Sequence, residues 1–200
     1  MKQLLVLLTL CAAAQFGAAQ EQLPRKEALK YAFFVSADLK NIQGTPIPTD
    51  VDLKHPVAVR DGDYGGLVLP ESKLSADVIA KAGDQVIPVG QIWLYHLTPV
   101  KDGDAVSESK LRLVELEAEG NSATVAQCAL GVKSDGSGGL QLLVYGKDKT
   151  PVVTAPLKKK ESDQKEPIGV SAERTDDGGK ITLKILGKFE ATFSVTELSV

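Results

Sequence analysis

The sequence predicts a mainly antiparallel all-β protein, built as an immunoglobulin-like β-sandwich with one short helix. Apolar and polar residues alternate along about nine or ten short segments, and turn-forming residues recur roughly every eight to twelve positions. Only one stretch, Pro70–Gly83, has the spacing of an amphipathic helix. The Cys…Trp…Cys pattern of antibody domains is absent, so "immunoglobulin-like" refers here to the architecture alone.

The strongest strand signal lies in the last third of the chain, from Pro167 to Leu198. Three consecutive runs there alternate with a period of two, which is typical of half-buried strands. If Arg174 pairs with Gly179, the first two runs oppose apolar residues on one face of the sheet. The opposed pairs are Ala172 with Ile181, Val170 with Leu183, and Ile168 with Ile185.

The connection between the second and third runs needs an odd number of loop residues to keep apolar residues opposite one another. We therefore predict a three-residue loop or bulge over Gly187–Phe189. The opposed pairs would be Ile185 with Ala191, Leu183 with Phe193, and Ile181 with Val195. The alternative is that the chain crosses to a second sheet at Gly187 and the two runs do not pair.

The first 19 residues are predicted to be a secretory signal peptide. Lys2 provides the positive start, and Leu4–Ala14 forms an apolar run that is too short to span a bilayer. The small residues Gly17-Ala18-Ala19 suit cleavage before Gln20.

Residues 20–200 are predicted to form a single sandwich domain, with two half-size sandwiches as the alternative. The one cysteine among them, Cys128, has apolar neighbours that predict a buried and inert thiol. A lipid on Cys11, which would anchor the protein to a membrane, is an alternative that the large Leu10 and the very short apolar run before it disfavour. Cleavage would remove Lys2 and leave 22 basic against 26 acidic residues, which argues against nucleic acid or an anionic membrane as the partner.

The first half of the mature chain gives weaker strand signals. Leu29 to Val35 alternates and predicts a first strand, with a short helix that opens after Pro24 as the alternative. Val51–Val59 predicts a second strand, interrupted at His55-Pro56, and Leu67–Leu69 a short buried strand.

The helix predicted over Pro70–Gly83 has an apolar stripe at Leu74, Val78, Ile79 and Ala82. The next segment, Val86–Leu97, is apolar at both odd and even positions. That pattern predicts either a strand buried on both faces or a central strand with an outward aromatic patch, and a bulge is predicted at Pro88 and Gly90.

Further strands are predicted in the middle of the chain, over Leu111–Leu116, Ala123–Val132, Leu140–Tyr145 and Pro151–Leu157. The charged run Lys158–Glu166 mixes both signs and predicts a solvated loop, with a docking loop as the alternative.

No catalytic, cofactor or metal site is predicted. His55 and His96 lack the spacing of metal ligands and are interpreted as structural. Three acidic turns could offer oxygen ligands to calcium, although none has the EF-hand spacing. They are Asp61-Gly62-Asp63, Asp102-Gly103-Asp104 and Asp176-Asp177-Gly178.

The aromatic residues Trp93 and Tyr95 are the candidate binding face. They lie two residues apart and therefore on one side of the same predicted strand. Burial in the core is the plain interpretation of such a pair. A recognition surface for a sugar, a small ligand or a partner protein is the functional interpretation.

Four stretches of the chain resemble an uncharacterised family of small exported β-sandwich proteins from planctomycete and verrucomicrobial bacteria, with a pilus-locus-associated member in Akkermansia. The stretches are Asp63–Pro70, Val89–Leu94, Leu143–Lys149 and Ile185–Phe189. The resemblance covers the chain from about Tyr64 onward. It implies a role in the cell envelope or at the cell surface, and it carries no catalytic residues.

We therefore expect a non-enzymatic exported protein, structural or pilus-associated, that assembles with envelope or surface proteins or with itself through a sheet edge or face. A carbohydrate- or small-ligand-binding module is the alternative, and a hydrolase with a carboxylate pair, which leaves no local signature, is a third. We expect the protein in the periplasm, at the outer membrane or outside the cell, with no cofactor and no transmembrane segment after signal cleavage.

Overall fold

The structure is a computed structural model that describes residues 21–39, 45–118 and 121–199. The predicted signal peptide lies outside the described residues. The helices are α1 (Arg25–Leu39) and α2 (Ala76–Ala80). The strands are β1 (Glu21–Gln22), β2 (Val57–Asp61), β3 (Tyr64–Pro70), β4 (Ile87–Tyr95), β5 (Leu97–Lys101), β6 (Asp104–Ala105), β7 (Arg112–Ala118), β8 (Asn121–Ser134), β9 (Leu140–Tyr145), β10 (Val153–Lys159), β11 (Ile168–Thr175), β12 (Gly178–Ile185) and β13 (Phe189–Glu197).

All strand pairs are antiparallel, so the predicted all-β class is confirmed. Strands β1–β4 and β7–β10 form what we call the first sheet, and β5, β6 and β11–β13 form the second sheet. Strand β10 joins them, because its first residues pair with β9 and its last residues, Lys158 and Lys159, pair with β13.

The two sheets share one apolar cluster, which we call the inner core. It includes Ile92 and Leu130 from the first sheet and Leu183 and Phe193 from the second, and the first three of these are fully buried. Burying apolar side chains from two facing sheets is the main stabilising contribution in a layered β-fold.

The chain crosses from the first sheet to the second at His96. The sequence predicts one strand through Leu97, but β4 ends at Tyr95 and β5 pairs with β13 instead. His96 has a φ of 55°, a left-handed conformation that is uncommon for a residue with a side chain. Its carbonyl accepts a hydrogen bond from Leu198 N–H at 2.9 Å, which fixes the crossing point against the end of β13.

The strand predicted from Leu29 to Val35 is wrong, because these residues belong to α1, the alternative that opens after Pro24. Helix α1 lies over β2, β3 and β7, on the side of the first sheet that faces away from the inner core; we call this side the outer face. Ala28, Ala32 and Val35 form its buried stripe. The small alanines allow close packing on the sheet, but they contribute little to the hydrophobic pattern of the sequence. The larger apolar residues of this segment alternate as they would in a strand, which produced the wrong prediction.

Helix α2 confirms the predicted helix in type but is much shorter than Pro70–Gly83. Pro70 ends β3, and the next residues stay extended because Glu71 bridges to Val51. The helix begins only after Ser75, whose hydroxyl accepts a hydrogen bond from Val78 N–H as an N-cap.

The predicted register of β11 and β12 is confirmed. Arg174 faces Gly179 and the three predicted apolar pairs are opposed, with one further pair, Thr175 and Gly178, closing the hairpin. The predicted bulge at the start of β4 is also confirmed, since the register of β4 against β8 shifts between Pro88 and Gly90.

The predicted register of β12 and β13 is wrong by two residues. The loop has three residues as predicted, but it spans 186–188, so Ile185 faces Phe189 and Leu183 faces Ala191. Leu186 and Gly187 both have positive φ, and Lys188 N–H donates to Ile185 O at 3.1 Å. A shift of two residues keeps apolar residues opposite one another. The alternation alone therefore could not distinguish the observed register from the predicted one.

The charged run Lys158–Glu166 is only partly a solvated loop. Its first two residues are in β10, and the backbone N–H groups of Lys160 and Ser162 then donate to carbonyls of the β12–β13 turn at 2.9 and 2.8 Å. The segment therefore covers that turn.

Candidate functional site

A cleft of about 420 Å³ opens between α1 and the outer face of the first sheet. Its lining is mainly apolar and aromatic, as is typical of small-molecule sites. The lining side chains come from the start of the chain, α1, β2, β3, β4, β7 and β8, and they include Leu23, Tyr31, Phe34, Ala58, Leu67, Trp93, Tyr95, Leu116 and Val125.

The alternation of the strands places these residues on one face. Ala58, Leu67 and Trp93 are opposite one another across β2, β3 and β4. The next outer row runs through Arg60, Gly65 and Tyr95. Because Gly65 has no side chain, this row leaves a space between its two larger members.

Trp93, one half of the predicted binding face, forms the buried floor of the site. Its side chain is 2% exposed, which agrees with the plain interpretation of burial in the core and not with an exposed recognition surface. Helix α1, whose segment was predicted as a strand, covers this part of the sheet. The indole Nε1 donates to Gln91 Oε1 at 3.2 Å, and Gln91 Nε2 donates to Thr49 Oγ1 at 2.7 Å, so the polar atom of the ring is satisfied.

Tyr95, the other half, remains accessible at the mouth of the cleft with 37% of its surface exposed. The ring of His96 stacks on it, with centroids 3.9 Å apart and planes inclined by 23°. The structure thus brings both predicted residues to one cleft, with Trp93 inside and Tyr95 at the edge.

Helix α1 supplies Tyr31 and Phe34, two site residues that were not predicted from the sequence. Phe34 is half-buried, and the ammonium group of Lys30 lies 5.5 Å from its ring centroid, in the range of a cation–π contact. The helical spacing of three between the two aromatics could have indicated a shared face, had the segment been predicted as a helix.

Arg60 and Asp63 are the charged residues that line the cleft, and both are exposed. Arg60 projects from the outer row, whereas Asp63 lies in the turn between β2 and β3. The guanidinium of Arg60 makes no ion pair or hydrogen bond with the residues that the structure describes.

A second cavity, of about 350 Å³, lies on the other side of the β2–β3 hairpin, where β2 approaches β11. Asp61 forms an ion pair with Arg174 across this gap: its Oδ2 accepts a hydrogen bond from Arg174 Nε at 3.0 Å and lies 2.8 Å from Nη2. The carboxylate of Glu197 raises the pKa of Tyr64, which lines both cavities. The hairpin therefore separates an apolar cleft from a polar one.

Neither histidine belongs to a metal-binding cluster among the described residues. His55 Nδ1 lies 2.6 Å from Asp52 Oδ2 in a partly buried turn. Burial tends to raise the pKa of Asp52, but hydrogen bonds from His55 and from Lys54 N–H outweigh it and lower the pKa. Across residues 21–39, 45–118 and 121–199, no three His, Cys, Asp or Glu side chains are grouped for a metal ion.

Cys128 is a buried free thiol in β8, as expected from its apolar neighbours. Burial raises its pKa to about 12, so the thiolate needed for nucleophilic attack does not form near neutral pH.

No family model, curated protein or solved structure matches this chain. Within the described part of the chain, neither helix has the length and apolar character needed to cross a bilayer.

Proposed function

We propose that this is a non-enzymatic binding protein and that the cleft beneath α1 holds a small apolar ligand. The observation that carries the proposal is the cleft itself, whose volume of about 420 Å³ falls within the usual size of ligand sites. Its floor is a buried tryptophan held by a hydrogen bond, and its walls come from both the helix and the sheet.

The neutral fluorescent dye N-phenyl-1-naphthylamine tests this proposal. We expect it to bind in a 1:1 ratio and to quench Trp93, the single tryptophan, by energy transfer. Gly65→Leu should weaken binding at least tenfold by filling the cleft. A Cβ at Gly65 would lie 3.4 Å from Val59 O and 3.9 Å from Tyr95 Cβ, so the backbone can accept the substitution.

Thr192→Leu is the matched control, because it adds the same side chain to an exposed strand position in the second sheet. We expect it to bind the dye like the wild type. Circular dichroism establishes that both variants are folded. Absence of 1:1 binding, or equal affinity in the Gly65→Leu variant, would rule out the cleft as the ligand site.

A second candidate function is self-association through the exposed surface of α1. Phe33 is 75% exposed and Leu29 is 37% exposed. These residues are four positions apart and so share one side of the helix. Exposed apolar residues that are grouped in this way are typical of contact surfaces.

Size-exclusion chromatography with light scattering tests this second candidate on residues 20–200. We expect an oligomer that the Leu29→Ser/Phe33→Ser variant converts to a monomer. Lys101→Ser, an exposed substitution elsewhere, should leave the oligomer intact. A monomeric wild type at high micromolar concentration would contradict the proposal.

We also propose that the protein is exported and acts in the periplasm, at the outer membrane or at the cell surface, in association with pili or other envelope proteins. The support is the N-terminal pattern of residues 1–19 and the resemblance to small exported β-sandwich proteins. Mass spectrometry of the protein from its native host should find Gln20 as the first residue; an uncleaved Met1 would argue against export by this route.

A further inference from the structure

We propose that the ligand of the cleft carries a planar aromatic ring, which stacks between Arg60 and Tyr95 above Gly65. This inference rests on the proposed binding function and specifies the chemical class of the ligand. It follows from the spacing of one row of residues on the outer face.

The row places a gap of suitable width between two flat groups. Arg60 faces Gly65, and Gly65 faces Tyr95, on three successive strands. Neighbouring strands lie about 4.8 Å apart, so the first and third positions are separated by about 9 to 10 Å. A ring in van der Waals contact on both faces needs about 7 Å, and the rest accommodates the inclination of the side chains.

Gly65 provides the base of this gap. A Cβ there would already lie in contact with Val59 O and close to Tyr95 Cβ. Any larger side chain would project into the cleft between Arg60 and Tyr95. Glycine at this position therefore keeps the space open, although its φ does not require glycine.

Tyr95 is held in place on one side. His96 stacks on its ring at 3.9 Å, and the left-handed backbone of His96 is what turns the imidazole back onto its neighbour. A ring that is already positioned loses little conformational freedom on binding, which favours stacking of a ligand on its other face.

Arg60 is available to form the opposite wall. The adjacent acid, Asp61, projects to the other side of the hairpin and is occupied by Arg174. A planar guanidinium stacks well on an aromatic ring through cation–π attraction. Saturated rings lack the π-electrons for this contact, so an aromatic ring fits the pair Arg60 and Tyr95 better than a sugar does.

Two competitors with the same carbon skeleton test the inference. They are 2-naphthol, which is aromatic, and decahydro-2-naphthol, which is saturated, each used to displace N-phenyl-1-naphthylamine. We expect 2-naphthol to bind about tenfold more tightly to the wild type, from one aromatic and one cation–π contact.

The variants Tyr95→Leu and Arg60→Gln should each reduce this preference, mainly by weakening binding of 2-naphthol. Tyr31→Leu is the control, since Tyr31 lines the cleft from α1 and is not in the row. It should weaken both competitors by a similar factor and leave the preference unchanged.

The outcomes separate the two proposals. Equal displacement by both competitors would overturn the aromatic specificity while leaving a general apolar site. A preference that survives both Tyr95→Leu and Arg60→Gln would also overturn it. Failure of the dye itself to bind would reject the binding function on which the inference rests.

Discussion

Gly90 occupies a position that no other residue could take without rearrangement. Its φ is 141°, and an added Cβ would lie 2.2 Å from the carbonyl oxygen of Leu69 on the neighbouring strand. The bulge that begins at Pro88 is therefore built around the absence of a side chain.

Gly90→Ala should lower the free energy of unfolding by at least ~2 kcal/mol, because backbone strain and the clash with Leu69 act together. Gly103→Ala is the matched control: its φ is also positive, but a Cβ there would have no atom within 4 Å. The Gly103→Ala substitution should lower the free energy of unfolding by about 1 kcal/mol. Urea unfolding followed by circular dichroism measures both, and equal losses would show that the close approach to Leu69 is unimportant.

Cys128 gives the protein a predictable response to alkaline pH. Burial raises the pKa of the folded thiol to about 12, whereas the ordinary value is 9.0. Above pH 9 the unfolded chain releases this proton and the folded chain retains it, so stability falls as pH rises. The loss should be about 1.4 kcal/mol per pH unit up to pH 12.

Comparison with Cys128→Ala isolates this effect from the titration of tyrosines and lysines. We expect the stability of the wild type, relative to the variant, to be constant from pH 7 to 8.5 and to decline from pH 9 to 11. A difference that stays flat up to pH 11 would show that the thiol is accessible to water.

Among the elements, the hairpin of β11 and β12 was the most predictable and α1 the least. The register of β11 and β12 follows from three apolar pairs that only one alignment can oppose. In α1 the side chains that face the sheet are small, Ala28 and Ala32, and Tyr31 and Phe33 lie in less buried positions. Strand-like alternation therefore outweighed the helical stripe.

The candidate site was predictable only in part for the same reason. Trp93 and Tyr95 could be placed on one face of a strand from their spacing. That this face forms a cleft depends on α1, and the free space depends on Gly65 being opposite Tyr95 in a pairing between distant segments. Neither the cleft under α1 nor the pairing of Gly65 with Tyr95 can be predicted from the residue pattern of a single segment.

Strand β11 has a hydrogen-bonded strand partner on one edge only among the described residues, and the ion pair of Arg174 with Asp61 lies at its other edge, toward β2. An apolar side chain at position 174 would break this ion pair and remove a charge that discourages pairing with another chain. Arg174→Val should therefore increase self-association in dynamic light scattering. Lys180→Val is the control, because β12 has neighbours on both sides. Equal aggregation of the two variants would assign the effect to surface hydrophobicity alone.

At the scale of the whole molecule, the inner core connects the two sheets and predicts a single unfolding transition. Leu130 in the first sheet and Leu183 in the second are both fully buried, and truncating either to alanine should cost roughly 2 to 5 kcal/mol. We expect Leu183→Ala to shift the urea midpoint equally by Trp93 fluorescence and by circular dichroism. Two separate midpoints would indicate two half-size domains instead.

The crossing at His96 also affects the order in which the molecule can fold. It commits Leu97–Pro99 to an edge whose partner, Val195–Glu197, comes roughly a hundred residues later in the chain. Val100 and Lys101 can pair with β6 at once, but on a ribosome Leu97–Pro99 must remain without their partner until residues 195–197 have emerged. Such delayed closure favours late, slow folding and would suit a polypeptide that passes through a translocation channel before it acquires its shape.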